Sequence, residues 1–318
     1  MSHTSSLAFT FPGQGSQAVG MGKDLADAFA SARAVFEEVD DTLSQNLSGL
    51  MWQGPMEDLT LTANTQPALM ACSVAALQVL KHEFDIDVTA ARYVAGHSLG
   101  EYSALCAAGS LSLADTARLL RLRGDAMQKA VPVGEGAMAA LLGADLDVAD
   151  QAVSAGAKHG VCQIANDNAT GQVVISGAKA AVEAAIEAAN EIGVRKAVLL
   201  PVSAPFHCDL MAPAGRAMAD ALADVTMNAP AVPVVNNVTA RAVSDPEKLK
   251  ADLVAQVTGR VRWRESATWM AEDGVEIFAE PGTGKVLTGM LRRLVKGVKG
   301  TALNTPEGLE NFAEALKG

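Results

Sequence analysis

Five consecutive residues, Gly96-His97-Ser98-Leu99-Gly100, set a serine between two glycines, one two positions before it and one two positions after. A serine hydroxyl is exposed for attack when its backbone is held in a sharp turn between a strand and a helix. A side chain at either flanking glycine would crowd those elements. The surroundings fit that geometry: the apolar run Tyr93-Val94-Ala95 enters as a strand, and Glu101 to Ala108 leaves with helix-forming composition. The N–H of Leu99 then lies at the helix start, where it can stabilise a developing oxyanion.

A serine hydroxyl needs a base within hydrogen-bond reach, and there are five histidines from which to choose. His3 lies in a terminus expected to be loose, His82 near a helix end and His159 in a loop, so these three read as solvated or structural. His97 adjoins the serine and is expected to point away from it, into a buried structural place. His207 closes the proline-bounded segment Val202-Ser203-Ala204-Pro205-Phe206-His207 and is the base of choice; its neighbour Cys208 should diverge from it. Serine hydrolases with this kind of turn add an acid between serine and histidine in chain order. Asp167 is the loop acid in that interval that attracts notice, but it makes no convincing third member. A backbone carbonyl can orient the imidazole instead, leaving a Ser98–His207 dyad. On the helix expected over 113–130, Arg118 and Arg121 read as solvated charges, whereas Arg123 precedes Gly124, a site of possible close approach.

The elements that must position these groups follow from periodicity. Leu7–Phe11 reads as a first strand, and Pro67–Phe84 as a long, nearly all-apolar and therefore buried helix, with Thr65 in its N-cap region. Between 134 and 203 the order is strand 137–142, helix 145–157, strands 161–165 and 172–176 joined by a turn over 166–171, helix 178–192 and strand 195–200. That is the βαββαβ order of a ferredoxin-like unit of about 70 residues, bordered by Pro132, Pro201 and Pro205. The larger unit resumes with helix 209–223, apolar strands 232–236 and 275–279 of the buried parallel kind, helix 285–295 and strand 301–303. The expectation is an α/β chain: a large subdomain, 1–132 and 204–318, with a parallel central sheet, and a small inserted subdomain, 133–203.

Two nucleotide-like motifs are set aside. Gly13, Gly15 and Ala18 fit G-x-G-x-x-A, but the acids that should end a second strand, Glu37 to Asp41, sit in helix-like sequence. Gly282-Thr283-Gly284-Lys285 lacks the earlier glycine and the following Ser/Thr of a phosphate loop and reads as a structural turn. With 318 residues, 49% hydrophobic content and only 4% aromatics, the core should be built from small aliphatic side chains. A net charge of −11 opposes nucleic-acid binding. Four scattered cysteines form neither a disulfide framework nor a zinc site. No run approaches the roughly 18 apolar residues of a membrane span, so the chain reads as cytoplasmic and is expected to be a monomer.

Six ordered stretches then carry a family likeness: F-P-G-Q-G-S-Q at 11–17, T-Q-P-A at 65–68, G-H-S-L-G-E-Y at 96–102, R-G-x-x-M-Q at 123–128, S-A-P-F-H at 203–207 and G-K-V-L-T-G at 284–289. Over nearly its whole length the chain resembles the bacterial malonyl-CoA:acyl carrier protein transacylases of fatty acid synthesis. The resemblance implies an α/β-hydrolase-like large subdomain and a malonyl group carried on Ser98, with His207 as base. It further implies Arg123 as the clamp on the malonyl carboxylate, Gln14 and Leu99 as donors of the oxyanion N–H groups, Gln66 among the substrate-binding residues, and the main-chain carbonyl of Gln256 as the group holding His207. CoA thioester is then a substrate, no cofactor or metal is called for, and the partners are malonyl-CoA and acyl carrier protein. The family usually has G-P-G where this chain has Gly282-Thr283-Gly284. Carriers of that pathway are acidic, so docking must use local cations, of which Lys285, Arg292, Arg293, Lys296 and Lys299 form the densest group; a solvated helix end accounts for them equally well. A serine thioesterase or esterase, a discrete polyketide-type acyltransferase and a non-catalytic acyl-binding module are the competing readings. The missing acid counts against the first and the retention of Ser98 and His207 against the last.

Overall fold

The computed structural model describes residues 5–317, so His3 lies outside the described residues. Its ten strands are β1 (Leu7–Phe11), β2 (Tyr93–Gly96), β3 (Gly136–Leu142), β4 (Cys162–Ala169), β5 (Gln172–Ala178), β6 (Lys196–Leu199), β7 (Val234–Val235), β8 (Ala242–Val243), β9 (Ile277–Pro281) and β10 (Lys299–Leu303). They form two sheets, ordered β10-β9-β1-β2-β7-β8 and β4-β5-β3-β6.

The six-stranded sheet grows outward from β1, whose five residues are all buried, as a continuous apolar run at the centre of a covered sheet requires. Strand β1 pairs in parallel with both β2 and β9, β9 with β10 and β2 with β7. The wholly parallel sheet expected from sequence is corrected at one edge: β7 and β8 form an antiparallel pair, so the sheet is mixed. The strand expected over 232–236 also shrinks to two residues. Pro233 cannot donate to a ladder; its carbonyl accepts the N–H of Val94 instead.

The long apolar helix runs from Thr62 to Phe84 and is buried along most of its length. It begins before the expected cap at Thr65, and Pro67 sits inside it. Proline removes one intrahelical bond, which the burial of this helix outweighs. The earlier start carries Thr62 and Gln66 to the site. Next to it lies the helix Leu113–Ala130, so close that a methyl on Gly124 would meet Ala63 Cα at 2.5 Å.

The second sheet is antiparallel throughout. Its core is largely alanine, with Ala149 and Ala152 from one helix packed on Ala181, Ala185 and Ala189 from the other. The turn expected over 166–171 narrows to Thr170-Gly171, because β4 runs on to Ala169. Asn and Asp favour turns when their side chains bond locally. Here they have distant partners: Asp167 pairs with Arg264 at 2.8 Å, Asn168 bonds His97, and Asn166 bridges to Val261. Those contacts also tie the second sheet to the first. The helices Pro246–Thr258, Trp263–Glu272 and Pro306–Lys317, which periodicity did not single out, complete the fold. Among the described residues no helix is long and apolar enough to cross a membrane.

Candidate active site

The serine turn is assembled by close packing. Ser98 has φ 53°, in the left-handed region that a residue with a side chain rarely occupies. A methyl on Gly96 would lie 1.9 Å from the Gly100 carbonyl, and one on Gly100 2.3 Å from the Phe11 carbonyl, so both glycines are sterically required. The loop after β1 lies against this turn: Phe11 O accepts the N–H of His97, and a methyl on Gly13 would meet His97 O at 2.7 Å.

The turn brings Ser98 Oγ to 2.7 Å from His207 Nε2, across 109 positions of sequence. His207 is buried and also strained, with φ 59°. Its Nδ1 lies 2.9 Å from the carbonyl of Gln256 and 3.1 Å from that of Gly259. Two acceptors there place the proton on Nδ1 and leave the Nε2 lone pair toward Ser98. Burial, reinforced by the charge of Arg123, holds the imidazole down at about 3, so it is neutral near pH 7. Among the described residues no acid completes a triad: both Nδ1 partners are backbone carbonyls, and Asp167 is engaged by Arg264. Cys208 turns its buried thiol toward the Pro205 carbonyl, away from any part in the dyad.

Arg123 is 1% exposed, and its guanidinium spans the site. Nη1 donates to Gln66 Oε1 at 2.8 Å, and Nη2 donates to Gln256 Oε1 at 3.0 Å and Ser98 Oγ at 3.2 Å. Its charge also lies 5.6 Å from the centre of the Tyr102 ring. No carboxylate forms an ion pair with it among the described residues, leaving a buried cation suited to an incoming anion. Gln66 continues the chain, donating to Thr62 Oγ1, which donates to Gln14 Oε1. The N–H groups of Gln14 and Leu99 have no protein acceptor among the described residues. Ser98, His207, Arg123, Gln66, Gln14 and Leu99 line one cavity of about 630 Å³, together with Met127, Met138, Asn168 and Phe206.

Two expectations change. His97 is structural, bonded to Asn168 Oδ1 at 2.7 Å, yet its ring also lines the cavity. Arg118 is solvated, but Arg121 is half-buried and bonds Asn64 and Gln45. The loop at Gly282-Thr283-Gly284-Lys285 does precede a helix, Val286–Leu294, but its N-terminus is filled from within. The buried carboxylate of Glu280 accepts the N–H groups of Leu287 and Thr288 at 3.0 and 2.7 Å.

Sequence reasoning passed over Glu101 and Asn237. Asn237 grips the serine turn at both ends, accepting the Ser98 N–H at 2.7 Å and donating to Gly96 O at 2.6 Å. Its position just beyond a strand end next to β2 is the signal that could have found it, since sites in open sheets gather at the carboxyl ends of strands. Glu101 is wholly buried and accepts bonds from the Asn237 N–H and the Gln256 amide. Burial outweighs those bonds and raises its carboxyl to about 7.

Residues 8–305 match the acyl transferase domain family. The malonyl CoA-acyl carrier protein transacylase of Escherichia coli (strain K12) is 45% identical, over 95% of this chain and 97% of its own. The acyl-carrier-protein-S-malonyltransferase of Bartonella henselae superposes with a TM-score of 0.96 at 55% identity, covering 98% of this chain and 99% of that one. A malonyl-transacylase solved with its type II PKS acyl-carrier protein gives 0.94 at 41% identity, covering 97% and 99%. With that family model over most of its length and these relatives matched nearly end to end, the chain belongs to the malonyl-CoA:acyl carrier protein transacylase family of acyl transferases.

Proposed function

We propose that the activity of this family, malonyl transfer from malonyl-CoA to acyl carrier protein, runs here through a malonyl ester on Ser98 in two half-reactions. The observation that carries the reading is the convergence on Ser98 Oγ of His207 Nε2 at 2.7 Å and Arg123 Nη2 at 3.2 Å. His207 takes the serine proton as Oγ attacks the thioester carbonyl, and the oxyanion settles between the N–H groups of Leu99 and Gln14. Loss of one such donor typically costs about 2.7–4 kcal/mol. CoA leaves as its thiol, taking the proton from His207. The pantetheine thiol of the carrier then gives a proton to His207 and attacks the ester, restoring Ser98.

Arg123 binds the malonyl carboxylate through paired hydrogen bonds, which acetyl groups cannot make. The same contact offsets the positive charge that helps depress His207, making the base stronger once the right substrate is bound. Gln66 and Thr62 hold the guanidinium and Gln14 in one hydrogen-bonded chain. Every step exchanges protons and acyl groups between this chain and its two substrates, so the reading calls for no cofactor.

The finer architecture fits this division of labour. The antiparallel order β4-β5-β3-β6 is that of a ferredoxin-like unit, which we assign to 133–203 as an insertion into an α/β-hydrolase-like subdomain formed by 1–132 and 204–318. We assign the work to a single chain in the cytoplasm, in fatty acid synthesis. The carrier docks at Lys285, Arg292, Arg293, Lys296 and Lys299, which are exposed beside the cavity-lining Val286 and Met290. Charge reversal at Arg292 and Arg293 should weaken the apparent affinity for carrier at low salt; unchanged affinity would return these residues to a solvated helix end.

Brief exposure to malonyl-CoA followed by peptide mass spectrometry tests the central step. A malonyl adduct on Ser98, discharged on adding carrier protein, is the expected result. An unmodified serine with undiminished turnover would replace it with direct transfer.

A further inference from the structure

We infer that Glu101 is a positioning residue for malonyl selectivity: it fixes the Gln256 amide so that Arg123 is held in the geometry that receives a carboxylate. The inference rests on Arg123 as the carboxylate clamp.

The Gln256 side chain lies 0% exposed among four polar groups, and their chemistry dictates which way its amide faces. Nε2 points at three acceptors: Glu101 Oε2 at 2.8 Å, the Ser98 carbonyl at 3.0 Å and Asn237 Oδ1 at 3.4 Å. Oε1 is thereby turned to Arg123 Nη2 at 3.0 Å. A flipped amide would set N–H against N–H at the arginine and oxygen against oxygen at the glutamate. The shortest of the three acceptor contacts, and the only one to a carboxyl group, is that to Glu101. The glutamate and the arginine are therefore linked through one amide, with the carboxyl group kept out of the cavity.

The same carboxylate oxygen accepts the Asn237 N–H at 2.9 Å. It thus supports both side chains that grip Ser98, Asn237 at the serine N–H and Gln256 at the serine carbonyl. Glu101 Oε1 has no hydrogen-bond partner among the described residues, so Oε2 carries both bonds. Glu101 reaches this place because it follows Gly100 in the first turn of the helix Gly100–Ala107, directly behind the nucleophile.

Reach, rather than charge, is what the geometry demands, and two conservative variants separate them. Glu101→Gln keeps an amide oxygen where Oε2 now accepts both bonds and loses the charge. Glu101→Asp keeps the charge and draws it back by about 1.5 Å, out of hydrogen-bond range of Gln256. The readout is the ratio of kcat/KM for malonyl-CoA to that for acetyl-CoA in transfer to carrier protein. A variant that is only less stable has fewer active molecules and loses rate equally on both substrates, leaving the ratio unmoved.

The expected result is a ratio within about threefold of the parent for Glu101→Gln. For Glu101→Asp the ratio should fall by about tenfold or more, the equivalent of one weakened charge-assisted bond. Arg123→Ala is run beside them. If it keeps the parent ratio, the clamp itself is wrong. If it lowers the ratio while Glu101→Asp leaves it in place, the clamp stands and the positioning role of Glu101 is overturned. A fall with Glu101→Gln and none with Glu101→Asp would overturn it too, in favour of charge alone.

Discussion

Replacing Arg123 tests the selectivity mechanism most directly, and the hydrogen bonds of the site set the size of the effect. The guanidinium already holds Gln66 through Nη1 and Gln256 through Nη2, each with one hydrogen. The longer contact from Nη2 to Ser98 Oγ, at 3.2 Å, is given up when that oxygen becomes an ester. One hydrogen on each terminal nitrogen is then free for the two carboxylate oxygens of a malonyl group. Two charge-assisted bonds at about 1.5–3 kcal/mol each are worth about 3–6 kcal/mol, or roughly 10²- to 10⁴-fold. Arg123→Ala should therefore lower kcat/KM for malonyl-CoA by that range and change acetyl transfer far less. The amide oxygens of Gln66 and Gln256, left facing the carboxylate, push toward the upper end. Arg123→Lys keeps the charge, but an ammonium cannot span both glutamines and still offer a parallel pair; a loss of roughly 10- to 100-fold is expected, that of about one bond. The assay is transfer from each thioester to carrier protein, with circular dichroism to show that the fold is kept. If Arg123→Ala retains the malonyl-to-acetyl ratio of the parent within about threefold, the guanidinium does not read the carboxylate.

Three further outcomes follow from the geometry. His207 is depressed to about 3 by burial and by Arg123, so the acid limb of kcat/KM for malonyl-CoA should lie well below the usual imidazole value of 6.5. The limb of kcat should lie at higher pH, because bound carboxylate offsets the arginine; a shared limb near 6.5 would contradict both statements. Gly100→Ala forces a methyl to within 2.3 Å of the Phe11 carbonyl and 2.9 Å of that of Pro12, neither of which can give way without moving β1. A loss of at least about 1–3 kcal/mol by denaturant unfolding, with transfer activity abolished, is expected. Glu280→Ala strips two N–H groups at the start of the helix Val286–Leu294 of their shared acceptor. Stability should fall by about 1–3 kcal/mol, whereas an unchanged unfolding midpoint would reopen that helix end as an anion site.

Local chemistry made part of this protein legible in one dimension. Ser98 was found because a strained turn needs glycine on both sides, and that need is written within five residues. The strand β1, the long buried helix and the βαββαβ order declared themselves through hydrophobic period, which depends only on near neighbours in the chain. Breaks in that pattern misled where distant partners intervened. The Asn166–Ala169 stretch has turn-forming residues but completes a strand because Arg264, Val261 and His97 engage it. Arg121 looked solvated and is held by Gln45 and Asn64.

What the tertiary structure alone decided is the environment of each reactive group. His207, Arg123 and Gln256 meet Ser98 from separate helices and loops, and no spacing in the chain encodes that a guanidinium will be 1% exposed or an imidazole fully enclosed. Depth of burial, the tautomer of the base and the facing of the Gln256 amide all arise from groups far apart in sequence. Their energies depend on the low dielectric and the full set of neighbours that only the packed chain provides.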